Sequence, residues 1–302
     1  MTITTRRIAA NGFDFAVDEA GEGDRLALCL HGFPESRFSW RHQLPLLAEM
    51  GYRAWAPDLR GYGETEPKPK QVPAYLIDRL MEDVAALIDA SGARTVTLIG
   101  HDWGAGLAWT FAANRVRPLE RLVIMNVPHP AVMSAHLRKS WAQLKKSWYM
   151  FFFQLPGIPE RAMTRNGAAA IRQAFHGMAI DKSHFTDDVL DRYAADAQRP
   201  GAMTGMVNWY RAAFRLQGKL AGPWPVIDTS TLVVWGEEDA ALGVELLDGT
   251  DAYVRDLTVK RLPGVSHWVQ QEAPEAVNAI LRAWLTAPRS KPAGSGRTAR
   301  AR

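Results

Sequence analysis

The sequence predicts an α/β fold, a mostly parallel sheet with helices on both faces and an inserted helical cap. Three observations carry that reading. Short apolar or β-branched runs alternate with helical patterns through the first 130 residues and again after residue 230. One such run, Thr95 to Ile99, passes without a spacer through Gly100-His101-Asp102-Trp103-Gly104 into a small-residue segment, Ala105 to Ala113, as a strand turning sharply into a helix does. Between residues 131 and 220 the alternation gives way to helical patterns rich in Trp, Tyr, Phe and Met. The expected division is therefore a core formed by 1–130 and 221–288, a cap over 131–220, and a basic tail over 289–302. Ligands bind such sheets at the carboxyl ends of the strands.

Residues 6–18 read as two strands joined at Asn11-Gly12, a pair that accepts positive φ in a hairpin. Leu26 to Leu30 follows as a buried strand ending in His31-Gly32-Phe33-Pro34. A helix is expected over Phe38 to Met50, a strand over Tyr52 to Ala56 and a helix over 75–90, with Leu76, Leu80, Val84, Leu87 and Ile88 on one face. After the Thr95 strand and its helix, Arg121 to Met125 forms another strand, closing on Asn126-Val127-Pro128. In the cap, Trp141, Leu144, Trp148 and Phe151 fall on one helical face. Strands at Thr231 to Trp235 and Leu257 to Leu262, then a helix from Ala273 to Leu285, complete the fold.

Composition narrows the function. Of 302 residues, 47% are hydrophobic and 23% charged, enough apolar material for a large soluble core. The net charge of +4 invites a nucleic-acid reading, but Arg289, Lys291, Arg297, Arg300 and Arg302 crowd into the last 14 residues. Without them the body carries 31 basic and 32 acidic residues, so no nucleic-acid partner is expected and the tail reads as solvated chain. A lone cysteine, Cys29, excludes an internal disulfide and gives no thiolate metal site. No apolar leader opens the chain and no run reaches the roughly 20 residues of a membrane span, which points to the cytoplasm.

The turn at Gly100-His101-Asp102-Trp103-Gly104 has the G-x-nucleophile-x-G spacing in which a strained central residue is presented above a strand. Its central residue is Asp102, where many such turns carry serine. Asp239 follows a later strand and His267 the last one, the chain order nucleophile, acid, histidine of an α/β-hydrolase arrangement. Singly, each aspartate could be a helix cap and the histidine a hydrogen-bonded core residue. Jointly, at three strand ends in that order, they form a candidate catalytic triad. The alternative acid position after Met125 offers only Asn126, Val127 and Pro128, which favours Asp239, with Glu237 and Glu238 as local alternatives.

HGFPESRFSW at 31–40, DLRGYGET at 58–65, GHDWG at 100–104 and GVSHW at 264–268 resemble the α/β-hydrolase-fold epoxide hydrolases of the soluble type, and the likeness spans residues 10–287. That resemblance implies two-step hydrolysis of a small apolar epoxide through an alkyl-enzyme ester, without cofactor or metal. It also implies a cis peptide at Phe33-Pro34 and two cap tyrosines, Tyr149 and Tyr210, that donate to the epoxide oxygen. The chemistry agrees: a carboxylate attacking an sp³ carbon leaves an ester on the enzyme's own carbonyl, which water must cleave. His267 is the expected base and Asp239 its orienting acid. By position, the amides of Phe33 and Trp103 form the oxyanion hole. Phe33, Pro34 and the Trp103 ring are the expected substrate walls, although Trp103 could equally be packing. Met150 and the Phe151-Phe152-Phe153 run could line the substrate path or belong to the core.

Two other readings stand beside this one. A haloalkane dehalogenase shares the turn and the ester chemistry but needs halide donors in place of two phenols. A silent ligand-binding protein of the same fold would carry degenerate positions at the triad, and none is degenerate. Monomer and homodimer are both compatible with the sequence.

Overall fold

A hairpin opens the fold, and Asn11-Gly12 makes it possible. In the computed structural model, which describes residues 1–137, 148–215 and 224–288, both turn residues have positive φ, 47° and 75°, matching the twist of the strands they join. Those strands, β1 (Thr4–Ala10) and β2 (Phe13–Ala20), begin an eight-stranded sheet. The others are β3 (Arg25–Leu30), β4 (Arg53–Pro57), β5 (Thr95–His101), β6 (Arg121–Met125), β7 (Thr231–Gly236) and β8 (Leu257–Leu262). Their order is β1-β2-β4-β3-β5-β6-β7-β8, antiparallel as far as the β2–β4 pair and parallel from β4 to β8.

Strand alternation sorts the core into two layers. Leu26, Leu28 and Leu30 join a cluster with Val84, Leu87, Leu107 and Phe111, whereas Ala27 and Cys29 join Leu44, Leu47, Val277 and Leu281 on the opposite face. Burying each large apolar side chain contributes about 1.5–3 kcal/mol. The first layer is covered by α2 (Ile77–Ser91) and α3 (Trp103–Ala113), the second by α1 (Gln43–Glu49) and the terminal helix. The expected helix over Phe38 to Met50 is split: a 3₁₀ turn, Arg37–Trp40, precedes α1. Pro45 explains the break, because a residue without an N–H is tolerated only in a helix's first turn.

Between β6 and β7 the described chain consists of helices joined by loops. It forms α4 (Pro130–Leu137), α5 (Trp148–Phe152), α6 (Ile158–Met178, interrupted at Arg165 to Ala168), α7 (Asp187–Gln198) and α8 (Ala202–Arg215). This insertion rests on loops at the carboxyl edge of the sheet. The Trp209 indole donates to the Arg60 carbonyl at 3.0 Å, the Asn208 amide to that of Lys70 at 3.0 Å, and Arg199 pairs with Glu64 at 2.6 Å. Of the apolar face expected around Trp141, Leu144, Trp148 and Phe151, the first two lie outside the described residues. Phe151 departs from the expectation: it is 49% exposed and packs on the outer Phe214. Tyr149, Phe152 and Phe153, at i, i+3 and i+4, are the inward set. The chain closes with α9 (Val269–Glu272) and α10 (Pro274–Thr286), and the basic tail from Arg289 lies outside the described residues. Among the described residues, no helix is long and apolar enough to cross a membrane.

At the turn from β5 to α3, Asp102 sits at φ 48°, ψ −122°, a conformation a non-glycine residue holds only where its surroundings impose it. Two glycines provide those surroundings. A Cβ on Gly100 would stand 2.5 Å from the Gly104 carbonyl, and one on Gly104 would overlap the Leu30 carbonyl. Gly106, two residues further along the helix, faces open space. Gly104→Ala is therefore expected to lower stability by roughly 2–4 kcal/mol, whereas Gly106→Ala raises it by about 0.5–1 kcal/mol through helix propensity. Chemical denaturation of the two variants checks this, and equal effects would contradict the close approach.

Candidate active site

Parallel neighbours end at one edge, so residues following β3, β5, β7 and β8 converge there. Phe33 follows β3, Asp102 follows β5, Asp239 lies three residues beyond β7, and His267 five beyond β8. The Asp102 Oδ1 accepts the Phe33 N–H at 2.6 Å, and its Oδ2 lies 3.5 Å from His267 Nε2. On the other side of the ring, His267 Nδ1 meets Asp239 Oδ2 at 2.6 Å. Asp239 is further held by the backbone N–H groups of Ala241 and Leu242, at 2.8 and 2.9 Å. The neighbouring acids point elsewhere: Glu237 pairs with Arg261 at 2.7 Å and Glu238 is exposed. Gly32 matters for the approach, because a Cβ there would overlap Asp102. The Phe33-Pro34 peptide is cis.

Burial and charge oppose each other throughout this cluster. Burial by itself would raise the Asp102 and Asp239 carboxyls, but His267 and the donors around each outweigh it, and both are held below the ordinary carboxylate value. Burial would lower His267, but Asp239 and Asp102 together lift it well above the ordinary imidazole value. The charge balance therefore favours an imidazolium between two carboxylates.

Above it lies a cavity of about 330 Å³ lined by Phe33, Pro34, Asp102, His267 and Trp268 from the core, with Tyr149, Phe152, Phe153, Met163 and Tyr210 among the insertion's contributions. The two tyrosine rings stand 5.9 Å apart at 82°, and Tyr210 packs edge-on to Trp103 at 4.9 Å. Both phenols are raised by burial first and by the nearby Asp102 charge second, so they remain protonated donors; a hydrogen bond from the Trp103 side chain acts against this on Tyr210. The aromatic run divides. Phe152 and Phe153 line the cavity, Phe151 faces outward, and Met150 packs against the core. Trp103 is a packing partner of Tyr210 and Trp209 beside the cavity rather than part of its lining.

Sequence reasoning missed the groups that hold the triad in place. Asn126, considered only as an absent acid, donates to Asp239 Oδ2 at 2.9 Å and accepts the Gly236 N–H at 2.8 Å. Glu35, fully buried, accepts the Gly32 N–H at 2.6 Å, meets His101 Nδ1 at 2.7 Å, and accepts the side-chain amides of Gln270 and Gln271, each at 2.8 Å. His101 in turn bonds the His267 carbonyl at 2.8 Å. The available signal is position: Asn126 follows the last residue of β6, and Glu35 and His101 lie within the two motif segments. Among the described residues, no group of three or more His, Cys, Asp or Glu side chains is placed to hold a metal ion.

A sequence profile described as the alpha/beta hydrolase fold matches residues 28–274. Proteins of mouse and human, both named epoxide hydrolase 4, are each 38% identical over 287 residues. The matches cover 92% of this chain and 78% and 77% of theirs. A crystal structure of a Bacillus megaterium epoxide hydrolase with an inhibitor superposes with a TM-score of 0.85 at 33% identity, covering 93% of this chain and all of that one.

The charge balance has a pH signature. His267 is raised on folding, so its stabilisation is complete below the unfolded histidine value near 6.5 and is lost as pH rises through the folded value. His267→Gln should therefore cost more stability at pH 6 than at pH 9 in urea titrations. An equal or larger cost at pH 9 would contradict the imidazolium.

Proposed function

Since the chain belongs to the α/β-hydrolase family, we propose that this hydrolase adds water to a small apolar epoxide and releases a vicinal diol. The observation that carries the reading is an ionised Asp102 facing, across one apolar cavity, two protonated phenols, with a histidine and a second acid behind it. Residues 131–220 act as the cap that brings the phenols over the core.

In the first step a carboxylate oxygen of Asp102 attacks an epoxide carbon and the ring C–O bond breaks. Tyr149 and Tyr210 hydrogen-bond the departing oxygen and one supplies its proton, since an alkoxide is a poor leaving group near neutral pH. General-acid help of this kind is worth about 10²–10⁴ in rate. Asp102 thereby loses its charge, which removes one of the two carboxylates holding His267 as imidazolium; the ring gives up its proton, which restores the phenol that protonated the departing oxygen, and the neutral imidazole can act as a base.

Water then attacks the Asp102 carbonyl, with His267 taking a proton and Asp239 fixing its tautomer. The tetrahedral oxyanion is met by the Phe33 amide, on the loop after β3, and by the Trp103 amide, at the turn where helix α3 leaves its first N–H groups unpaired. Its collapse returns Asp102 and the diol. One of the water's protons ends on the second diol hydroxyl, and the other restores the starting protonation of the histidine and phenols.

Styrene oxide and a bromoalkane of similar size test the substrate class. Diol formation without bromide release is expected, and bromide release without diol would overturn the assignment. Asp102→Ala should abolish turnover. The Tyr149→Phe/Tyr210→Phe double variant should lose at least about 100-fold in kcat/KM, and full activity would move the acid elsewhere.

A further inference from the structure

The loop that carries His267 is anchored on three sides. Toward the acid loop, the Glu238 N–H donates to the Val265 carbonyl at 3.0 Å; toward the nucleophile turn, His101 bonds the His267 carbonyl at 2.8 Å. The third anchor is Glu272, the last residue of α9, and it reaches the insertion. Its side chain is 3% exposed. One carboxylate oxygen accepts both the backbone N–H and the hydroxyl of Ser266, the residue before His267, the N–H at 3.2 Å. The other accepts the backbone N–H groups of Ile180 and Asp181, each at 3.1 Å, in the segment that follows α6. Every described partner of this buried carboxylate is a donor, two from the base's loop and two from the insertion.

We infer that Glu272 is a positioning residue for ester hydrolysis, joining the seating of the helical insertion to the placement of His267. A carboxylate is suited to this task because both of its oxygens accept. A glutamine in its place presents an NH₂ group to one of the two donor pairs, so one side of the bridge must open. The neighbouring contact cannot replace it: Trp268 packs tilted against Phe175, ring centroids 4.5 Å apart, but an aromatic contact tolerates sliding that a two-point hydrogen bond does not.

The consequence falls on one half-reaction. Attack on the epoxide depends on Asp102, the Phe33 amide and the two phenols, none of which Glu272 touches. Hydrolysis depends on where His267 Nε2 stands relative to the ester, and a shift near 1 Å in such a group costs up to about 100-fold. Glu272→Gln should therefore lower kcat about tenfold while kcat/KM, which reports alkylation, changes by less than about twofold. KM falls with kcat, and the ester mass on Asp102 accumulates at steady state in intact-protein mass spectra. Ser266→Ala, which removes one donor and leaves the carboxylate, should shift the same quantities in the same direction by about threefold.

The inference rests on the ester mechanism proposed above. His267→Gln separates the two: if that variant accumulates no ester, the mechanism fails whatever Glu272 does. If His267→Gln traps the ester but Glu272→Gln and Ser266→Ala lower kcat/KM and kcat equally, or leave both unchanged, Glu272 is only structural and the inference is overturned. Should Glu272→Gln not fold, Ser266→Ala alone decides the question by the same ratio.

Discussion

A histidine held between a buried carboxylate, Asp239, and a half-buried one, Asp102, is the constraint to which the rest of this structure answers. Taking three charges out of water is costly, and the cost is met only where the remaining lone pairs find donors and the geometry is fixed. Asp239 takes two backbone N–H groups and the Asn126 amide; Asp102 takes the Phe33 N–H. Those donors follow three different strands, β3, β6 and β7. They meet only because the central strands run parallel and finish at one edge, and because Gly32, Gly100 and Gly104 remove the atoms that would hold the loops apart.

Around that cluster the protein is apolar where substrate must enter and polar where loops must not move. The insertion contributes Phe152, Phe153, Met163 and the two phenols to the cavity, so most of its wall on that side is apolar. Behind the triad, Glu35 ties together the loop after β3, the turn after β5 and helix α9 through one carboxylate. Buried polar hubs of this type hold a single arrangement because each alternative leaves a donor or acceptor unpaired.

Much of this was legible in the sequence, for identifiable reasons. Strand and helix periods are local, so β6 and β8 were read to the residue, and the Asn11-Gly12 hairpin followed from turn chemistry. The convergence of Asp102, Asp239 and His267 was legible because the topology is regular and strand ends are countable. The split before α1 is not visible in the helical reading of Phe38 to Met50 taken as a whole; it follows from Pro45, which is confined to the first turn of α1. Phe151 was placed inward because a helical period says nothing about where a helix as short as α5 stops, and the inward face begins at Tyr149. The supporting roles of Asn126, Glu35 and Glu272 are not legible in the sequence, since each depends on a partner 110, 66 or 92 residues away that no local period identifies.

The central claim is that water attacks the enzyme's own carboxylate carbon and not the epoxide. A single turnover in ¹⁸O-labelled water, with enzyme in excess over styrene oxide, reads this directly by peptide mass spectrometry. The account predicts one ¹⁸O in the peptide containing Asp102 and an unlabelled diol; label in the diol with an unlabelled Asp102 peptide would contradict it.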